Sequence, residues 1–294
     1  MLYSIARTVM SLLPDRAAFQ IAILLASLPP KLSLRPEDRR ALDAAKRFEF
    51  GSGVRRVAWR WGHGPTIVLA HGWGGRAGQM VKMADAIAKA GFEVVVFDSQ
   101  GHGESDGHRI GFGRMIADLR ALDEALHGDI AAWVCHSAAG LCLAASQLCL
   151  GQKPQRLVFL ATPRGPYIPI NELKRHLKPR AGVLDRCGEF YASEFSMQWD
   201  DMDQCAAFID HGDAELLLIQ DRDDKRLQAN DAERIADAWG NAQILRTDGL
   251  GHLKPLWSDD VMQAVIGFLK SNEVPDQEVS EGFAPAAPSQ DISN

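Results

Sequence analysis

The octapeptide Trp133-Val134-Cys135-His136-Ser137-Ala138-Ala139-Gly140 sets a serine between an apolar run and a small, Ala- and Leu-rich segment. Residues 130–134 read as a buried strand and residues 141–150 as a helix packed closely behind it. A serine at so sharp a strand-to-helix corner has its hydroxyl pushed out at the top of a sheet, where it can act as a nucleophile. Only small neighbours fit there, and the positions two before and two after, Cys135 and Ala139, are small. The plain alternative for this segment alone is a buried serine at a strand end. A serine hydroxyl is a weak nucleophile until a base takes its proton. His252, in Gly249-Leu250-Gly251-His252, offers an imidazole, a group able to accept a proton and return it. The run Asp221-Arg222-Asp223-Asp224 offers carboxylates to hold that imidazole in one tautomer.

These side chains lie far apart in sequence, so the fold must bring them together. Residues 35–47 read as a charged helical stretch, and 48–61 as two short strands joined around Gly51-Ser52-Gly53. Strands at 66–70, 93–97, 130–136, 156–161, 216–219 and 243–246 then alternate with helices at 79–90, 114–127, 141–150, 229–239 and 259–269. Short apolar runs separated by amphipathic helices predict an α/β fold, a doubly wound and mostly parallel sheet covered on both faces. Ligands of such sheets collect at the carboxyl edge of the strands. The residues just past each strand are therefore informative: His71-Gly72-Trp73-Gly74-Gly75, then the loop 98–105, then Ser137, the Asp-rich run and His252. A serine, a carboxylate and a histidine fall in that order along one edge.

Taken together, these strings resemble the α/β-hydrolase superfamily over roughly residues 48–270. The matching elements are the His71-Gly72-Trp73 turn, the Asp98-x-x-Gly101-His102-Gly103-x-Ser105 loop, His136-Ser137, the Asp-rich strand end and Gly249-x-Gly251-His252. Cys135 and Ala139 stand where the elbow usually has glycines, and Gln100 where proline is common. The resemblance implies Ser137 as nucleophile, His252 as base and Asp224 as orienting acid, with Asp223 and Asp221 as the other candidates for that acid. It implies an oxyanion hole made by the backbone N–H groups of Trp73 and Ala138. The implied activity is that of a serine hydrolase of carboxylesterase type, cleaving esters of small or medium acyl chain through an acyl-enzyme. A thioesterase, or a lysophospholipase or monoacylglycerol-lipase-like enzyme, would use the same parts. A non-catalytic, hydrolase-like ligand-binding protein is the reading from a different class. Serine at the elbow counts against the branches that use an aspartate nucleophile.

The remaining sequence bounds partners and organisation. Residues 1–47 read as an N-terminal helical extension, 48–271 as the hydrolase domain, and 163–213 as a helical cap inserted into it. The cap carries Tyr167, Phe190, Tyr191, Phe195, Met197, Trp199 and Phe208. Most of these should form its own core, and some should line the substrate cavity. Residues 272–294, rich in Pro, Ser, Glu and Ala, read as a disordered tail. A net charge of −6 without a basic stripe argues against nucleic acid; the expected partner is a small-molecule ester. No cofactor is expected, because Cys-x-x-Cys, His-x-x-x-His and Gly-x-Gly-x-x-Gly are all missing from the sequence. Five cysteines without bridging or zinc spacing read as reduced core residues in a cytoplasm. His71 and His102 should brace the glycine loops. Residues 1–30 are apolar but interrupted by Arg7, Asp15 and Arg16, and the uncharged stretch from 17 to 30 is shorter than the roughly 20 residues of a membrane span. They read as a helical hairpin broken at Pro14-Asp15 that packs on the domain. A second reading lays residues 1–30 on a membrane surface.

Overall fold

The computed structural model describes residues 2–30, 32–146, 148, 154–209, 211 and 213–271. Two helices open the chain, α1 (Leu2–Leu12) and α2 (Asp15–Ala26), separated at Pro14, which lacks the N–H needed to continue α1. Helix α3 (Pro36–Ala44) precedes the antiparallel pair β1 (Lys46–Phe50) and β2 (Arg56–Gly62). The alternation then runs β3 (Thr66–Ala70), α4 (Val81–Lys89), β4 (Glu93–Asp98), α5 (Phe112–Ala125), β5 (Ala132–His136), α6 (Ala138–Ala145) and β6 (Arg156–Leu160). Three helices interrupt it: α7 (Tyr167–Leu177), α8 (Ala181–Ser193) and α9 (Trp199–Asp203). Strand β7 (Glu215–Asp221), α10 (Asp231–Trp239), β8 (Ala242–Thr247) and α11 (Asp259–Lys270) complete the domain. Residues 272–294, expected from their composition to be a tail, lie outside the described residues.

The eight strands form one sheet in the order β1-β2-β4-β3-β5-β6-β7-β8, parallel from β3 to β8 and antiparallel at β1 and β2. The strands read as continuous apolar runs because both faces are covered. Val68, Phe97, Trp133, Phe159 and Leu218 point to one face, into a core shared with α5, α6, α10 and the cap. Their neighbours Leu69, Val96, Val134, Leu160 and Ile219 point to the other, against α4 and α11. Of the boundaries that differ from the sequence expectation, two matter for chemistry. The helix behind Ser137 starts at once, at Ala138 rather than at 141, so the corner contains a single residue. Strand β7 continues to Asp221, because that residue still pairs in register with Thr247 of β8.

Candidate active site

Ser137 is the lone residue between β5 and α6, with φ 55° and ψ −123°. This conformation costs a non-glycine residue about 1–3 kcal/mol and persists only where the surroundings over-determine it. They do so here. The Ser137 N–H donates to the Leu160 carbonyl at 2.8 Å, and the Gly140 N–H donates to the Ser137 carbonyl at 3.1 Å. Glycine is needed where other atoms close on the corner, at positions 72 and 140. A Cβ on Gly72 would lie 2.9 Å from the His136 carbonyl oxygen and 2.9 Å from Ser137 Cβ, and one on Gly140 would meet Thr162 Oγ1. Cys135 and Ala139 bury small side chains in the core, so the turn closes without glycine at either position.

The structure brings Ser137, His252 and Asp224 together. His252 Nδ1 lies 2.7 Å from Asp224 Oδ2, and His252 Nε2 lies 3.0 Å from Ser137 Oγ. Burial works to raise the Asp224 carboxyl, but the hydrogen bond and charge of His252, with the N–H groups of Arg226 and Leu227, outweigh it and hold the carboxyl below its ordinary value. An ionised carboxylate only accepts, so Nδ1 carries the imidazole proton and Nε2 is left to accept from the serine hydroxyl.

The three aspartates of the run do different things. Asp221, at the end of β7, accepts from Thr247 Oγ1 at 2.7 Å and from the N–H groups of Leu250 at 3.0 Å and Gly251 at 2.8 Å. It therefore shapes the loop that delivers His252 and does not touch the imidazole ring. Asp223 is exposed and accepts from the Gly249 N–H at 2.9 Å. Only Asp224 reaches His252.

His136 makes a contact that the sequence reading missed. Its Nε2–H donates to the backbone carbonyl of His252 at 2.9 Å, from the last residue of β5, next to Ser137. His71 and His102 tie the two glycine loops to each other. His71 Nε2 accepts from the Ser99 N–H and His102 Nε2 from the Gly74 N–H, each at 3.1 Å. Burial pushes His71 down to about 4, and His102 and His136 down to about 3.

These buried imidazoles make stability depend on pH. Unfolded imidazoles take up a proton near pH 6.5, whereas these three stay neutral in the native state until about pH 3 to 4. In between, the unfolded chain binds more protons, so stability falls as pH falls, by up to about 1.4 kcal/mol per pH unit for each histidine. Asp118, Asp231 and Glu194, raised by burial, act in the opposite sense just above the ordinary carboxylate range. The melting temperature should therefore drop steeply from about pH 6.5 to about pH 4.5, and His102→Gln should flatten the drop. A melting temperature constant over that range would contradict the assignment of neutral, buried imidazoles.

Among the described residues, neither the Trp73 N–H nor the Ala138 N–H has an acceptor. Ala138 opens α6, where an N–H has no partner within the helix. Both residues line the cavity that reaches Ser137, His136 and His252. The cavity encloses about 620 Å³. Its walls are largely aliphatic, with Ile168, Leu173 and Leu177 from α7 and Leu25, Leu28 and Leu32 from the N-terminal segment.

Two features of this lining depart from the sequence expectation. The cap's aromatic residues do not reach the cavity: Phe190, Tyr191 and Phe195 pack into the core against Phe19 and Phe112, and the Tyr167 hydroxyl is taken by Asp231. Leu25, Ala26, Leu28, Pro29, Pro30 and Leu32 complete the wall instead. The Ile110 N–H donates to the Ser27 carbonyl at 2.8 Å, Arg76 Nη1 donates to the Leu32 carbonyl at 2.7 Å, and Pro30 packs against Gly74. Cys142, Cys187 and Cys205 are buried thiols without a bridge, and burial pushes Cys187 up to about 12. Cys149 lies outside the described residues.

The family described as serine aminopeptidase, S33, matches residues 63–212, just over half of the chain, and the chain belongs to that family. Its eight-stranded sheet and flanking helices are those of an α/β-hydrolase. The matched span contains Trp73 and Ser137 and ends before Asp224 and His252. An esterase of Pyrococcus furiosus superposes with a TM-score of 0.60 at 19% identity, covering 83% of this chain and 98% of its own. A bromoperoxidase of Bacillus anthracis gives 0.57 at 17% identity, covering 77% of this chain and all of its own. The thioesterase domain of the curacin biosynthetic pathway gives 0.55 at 16% identity, covering 78% of this chain and all of its own. Likeness at these identities establishes the fold alone. The sequence comparison with curated proteins finds no match.

Proposed function

We propose that this protein is a serine esterase that cleaves carboxylic esters with an apolar, medium-length acyl group through an acyl-enzyme. Ser137 Oγ attacks the ester carbonyl while its proton passes to His252 Nε2. Asp224 stabilises the resulting imidazolium, and the oxyanion is held by the N–H groups of Trp73 and Ala138. The imidazolium returns the proton to the departing alcohol oxygen. Water, deprotonated by His252, then attacks the acyl carbonyl, and Ser137 leaves with the proton back on Oγ.

The observation that carries this reading is the continuous pair of hydrogen bonds from Asp224 through His252 to Ser137, beside two N–H groups without acceptors in the same cavity. Ester is preferred over peptide on the chemistry of the lining. An aminopeptidase must pair its substrate's ammonium group with a carboxylate. The carboxylate of this cavity's wall, Glu172, is already engaged by Arg175 at 2.6 Å. An aliphatic wall instead suits an acyl chain, and esterases stand among the structural neighbours.

The test is a series of p-nitrophenyl esters from acetate to decanoate, set beside aminoacyl p-nitroanilides. Turnover should peak between butyrate and octanoate, with kcat/KM at least about a hundredfold above that of any anilide. Faster cleavage of an anilide would overturn the ester assignment.

A further inference from the structure

Six of the eight large apolar side chains exposed among the described residues lie within residues 5–32. In α1 they form a stripe: Ile5, Val9 and Leu12, at i, i+4 and i+7, are 57%, 42% and 81% exposed. The adjoining stripe, one residue on, is Ala6, Met10 and Leu13, and it packs on the core. Arg7, Thr8 and Ser11 take the third side. The apolar arc of α1 is thus wider than the fold can cover, which is the pattern of a helix that rests on an apolar phase.

Two further observations say what that phase is. First, the exposed apolar surface runs to the mouth of the active-site cavity. Leu28 and Leu32 are 47% and 40% exposed and also line the cavity, and α1 packs beside α7, which contributes Ile168, Leu173 and Leu177 to the lining. Second, the charges around it are mostly positive, in a protein whose net charge is −6. Arg7, Arg16, Lys174, Arg175, Lys178 and Arg180 are all exposed on α1, α2, α7 and the start of α8. Of the acids on these helices, Asp15 and Glu172 are each paired with an arginine, Arg180 and Arg175, while Asp185 and Glu189 are exposed on α8, as is Arg186; the cations remain in excess. A cationic rim around an apolar stripe complements an anionic lipid surface. Among the described residues no helix is long and apolar enough to cross a membrane.

We propose that α1 and the segment through Leu32 form a docking surface for an anionic lipid bilayer, so that the cavity draws an amphiphilic ester from that surface. The second half of this statement rests on the esterase reading above; the docking does not. Docked in this way, the stripe of α1 sits among acyl chains and the basic residues meet phosphate headgroups. A single-chain lipid ester would then slide past Leu28 and Leu32 toward Ser137 without crossing water.

The test is flotation of the full-length protein with vesicles of phosphatidylcholine alone, or mixed with phosphatidylglycerol. The protein should float with the mixed vesicles, float far less with the neutral ones, and be released as salt is raised. Val9→Asp and Leu12→Asp should each reduce the bound fraction at least about tenfold. Hydrolysis of a soluble short-chain ester should be unchanged in both variants, because neither residue touches the cavity. The proposal is overturned if the protein does not float with anionic vesicles at low salt, or if both variants float like the wild type. It is equally overturned if light scattering shows that the stripe instead joins two copies of the chain. Loss of vesicle binding with soluble-ester turnover intact bears on docking alone, whereas absence of turnover in the wild type bears on the esterase reading alone.

Discussion

Ser137→Ala is expected to lower kcat toward a soluble p-nitrophenyl ester by about 10⁴- to 10⁶-fold, and His252→Ala by a similar factor. The two losses should not add, because in the proposed mechanism base and nucleophile act as one unit, and Nε2 lies 3.0 Å from Oγ. The double variant should therefore be about as slow as either single one. Stability should change little in Ser137→Ala. The strained backbone is held by the bonds to Leu160 and Gly140, and these do not involve the hydroxyl. Kinetics and thermal melts of the same preparations separate the two effects. A Ser137→Ala protein that kept more than about one per cent of wild-type kcat would remove the nucleophile from the account.

The second large effect concerns the acid. In Asp224→Asn one amide face still fits the site, but the backbone N–H groups of Arg226 and Leu227 hold the amide oxygen and turn its NH₂ toward His252. That arrangement favours the imidazole tautomer with the proton on Nε2, which cannot accept from Ser137. The expected loss in kcat is about 10⁴-fold. Asp223→Asn should leave kcat within about threefold, since its exposed carboxylate holds one loop N–H. Asp221→Asn keeps one acceptor oxygen and replaces the other by an NH₂, so either Thr247 and Leu250 or Gly251 and Asp223 lose their acceptor. It should lower stability by about 1–3 kcal/mol while leaving the ester-bond chemistry with a working acid. A larger kcat loss in Asp223→Asn or Asp221→Asn than in Asp224→Asn would reassign the acid.

The sheet was legible in the sequence because each central strand is a short apolar run with a turn at both ends. Covered on both faces, such runs leave few alternatives to a parallel α/β core. The convergence of Ser137, Asp224 and His252 was legible for a related reason: each residue comes after a strand, and parallel strands end at one edge. The division of labour among Asp221, Asp223 and Asp224 was not, because it depends on how far β7 stays paired with β8. A strand continuing through Asp221 commits that carboxylate to the neighbouring loop and leaves Asp224, past the turn, facing His252. The contact of His136 with the His252 carbonyl was hidden for the same kind of reason, since it spans a sequence separation of 116 residues. The cavity wall was misjudged on physical grounds. Large aromatic side chains in the cap gain more by burial against Phe112 and Phe19 than by facing an open cavity. The cavity was left to aliphatic residues of α7 and of a leader whose docking rests on Pro30, Ser27 and Leu32.

The central claim is that Ser137 is an activated nucleophile, and labelling the folded protein with a fluorophosphonate followed by peptide mass spectrometry tests it most directly. A stoichiometric adduct on Ser137, formed at neutral pH and lost in His252→Ala, is the expected result. No adduct on Ser137 in folded protein, or one that forms equally well without the imidazole, would contradict it.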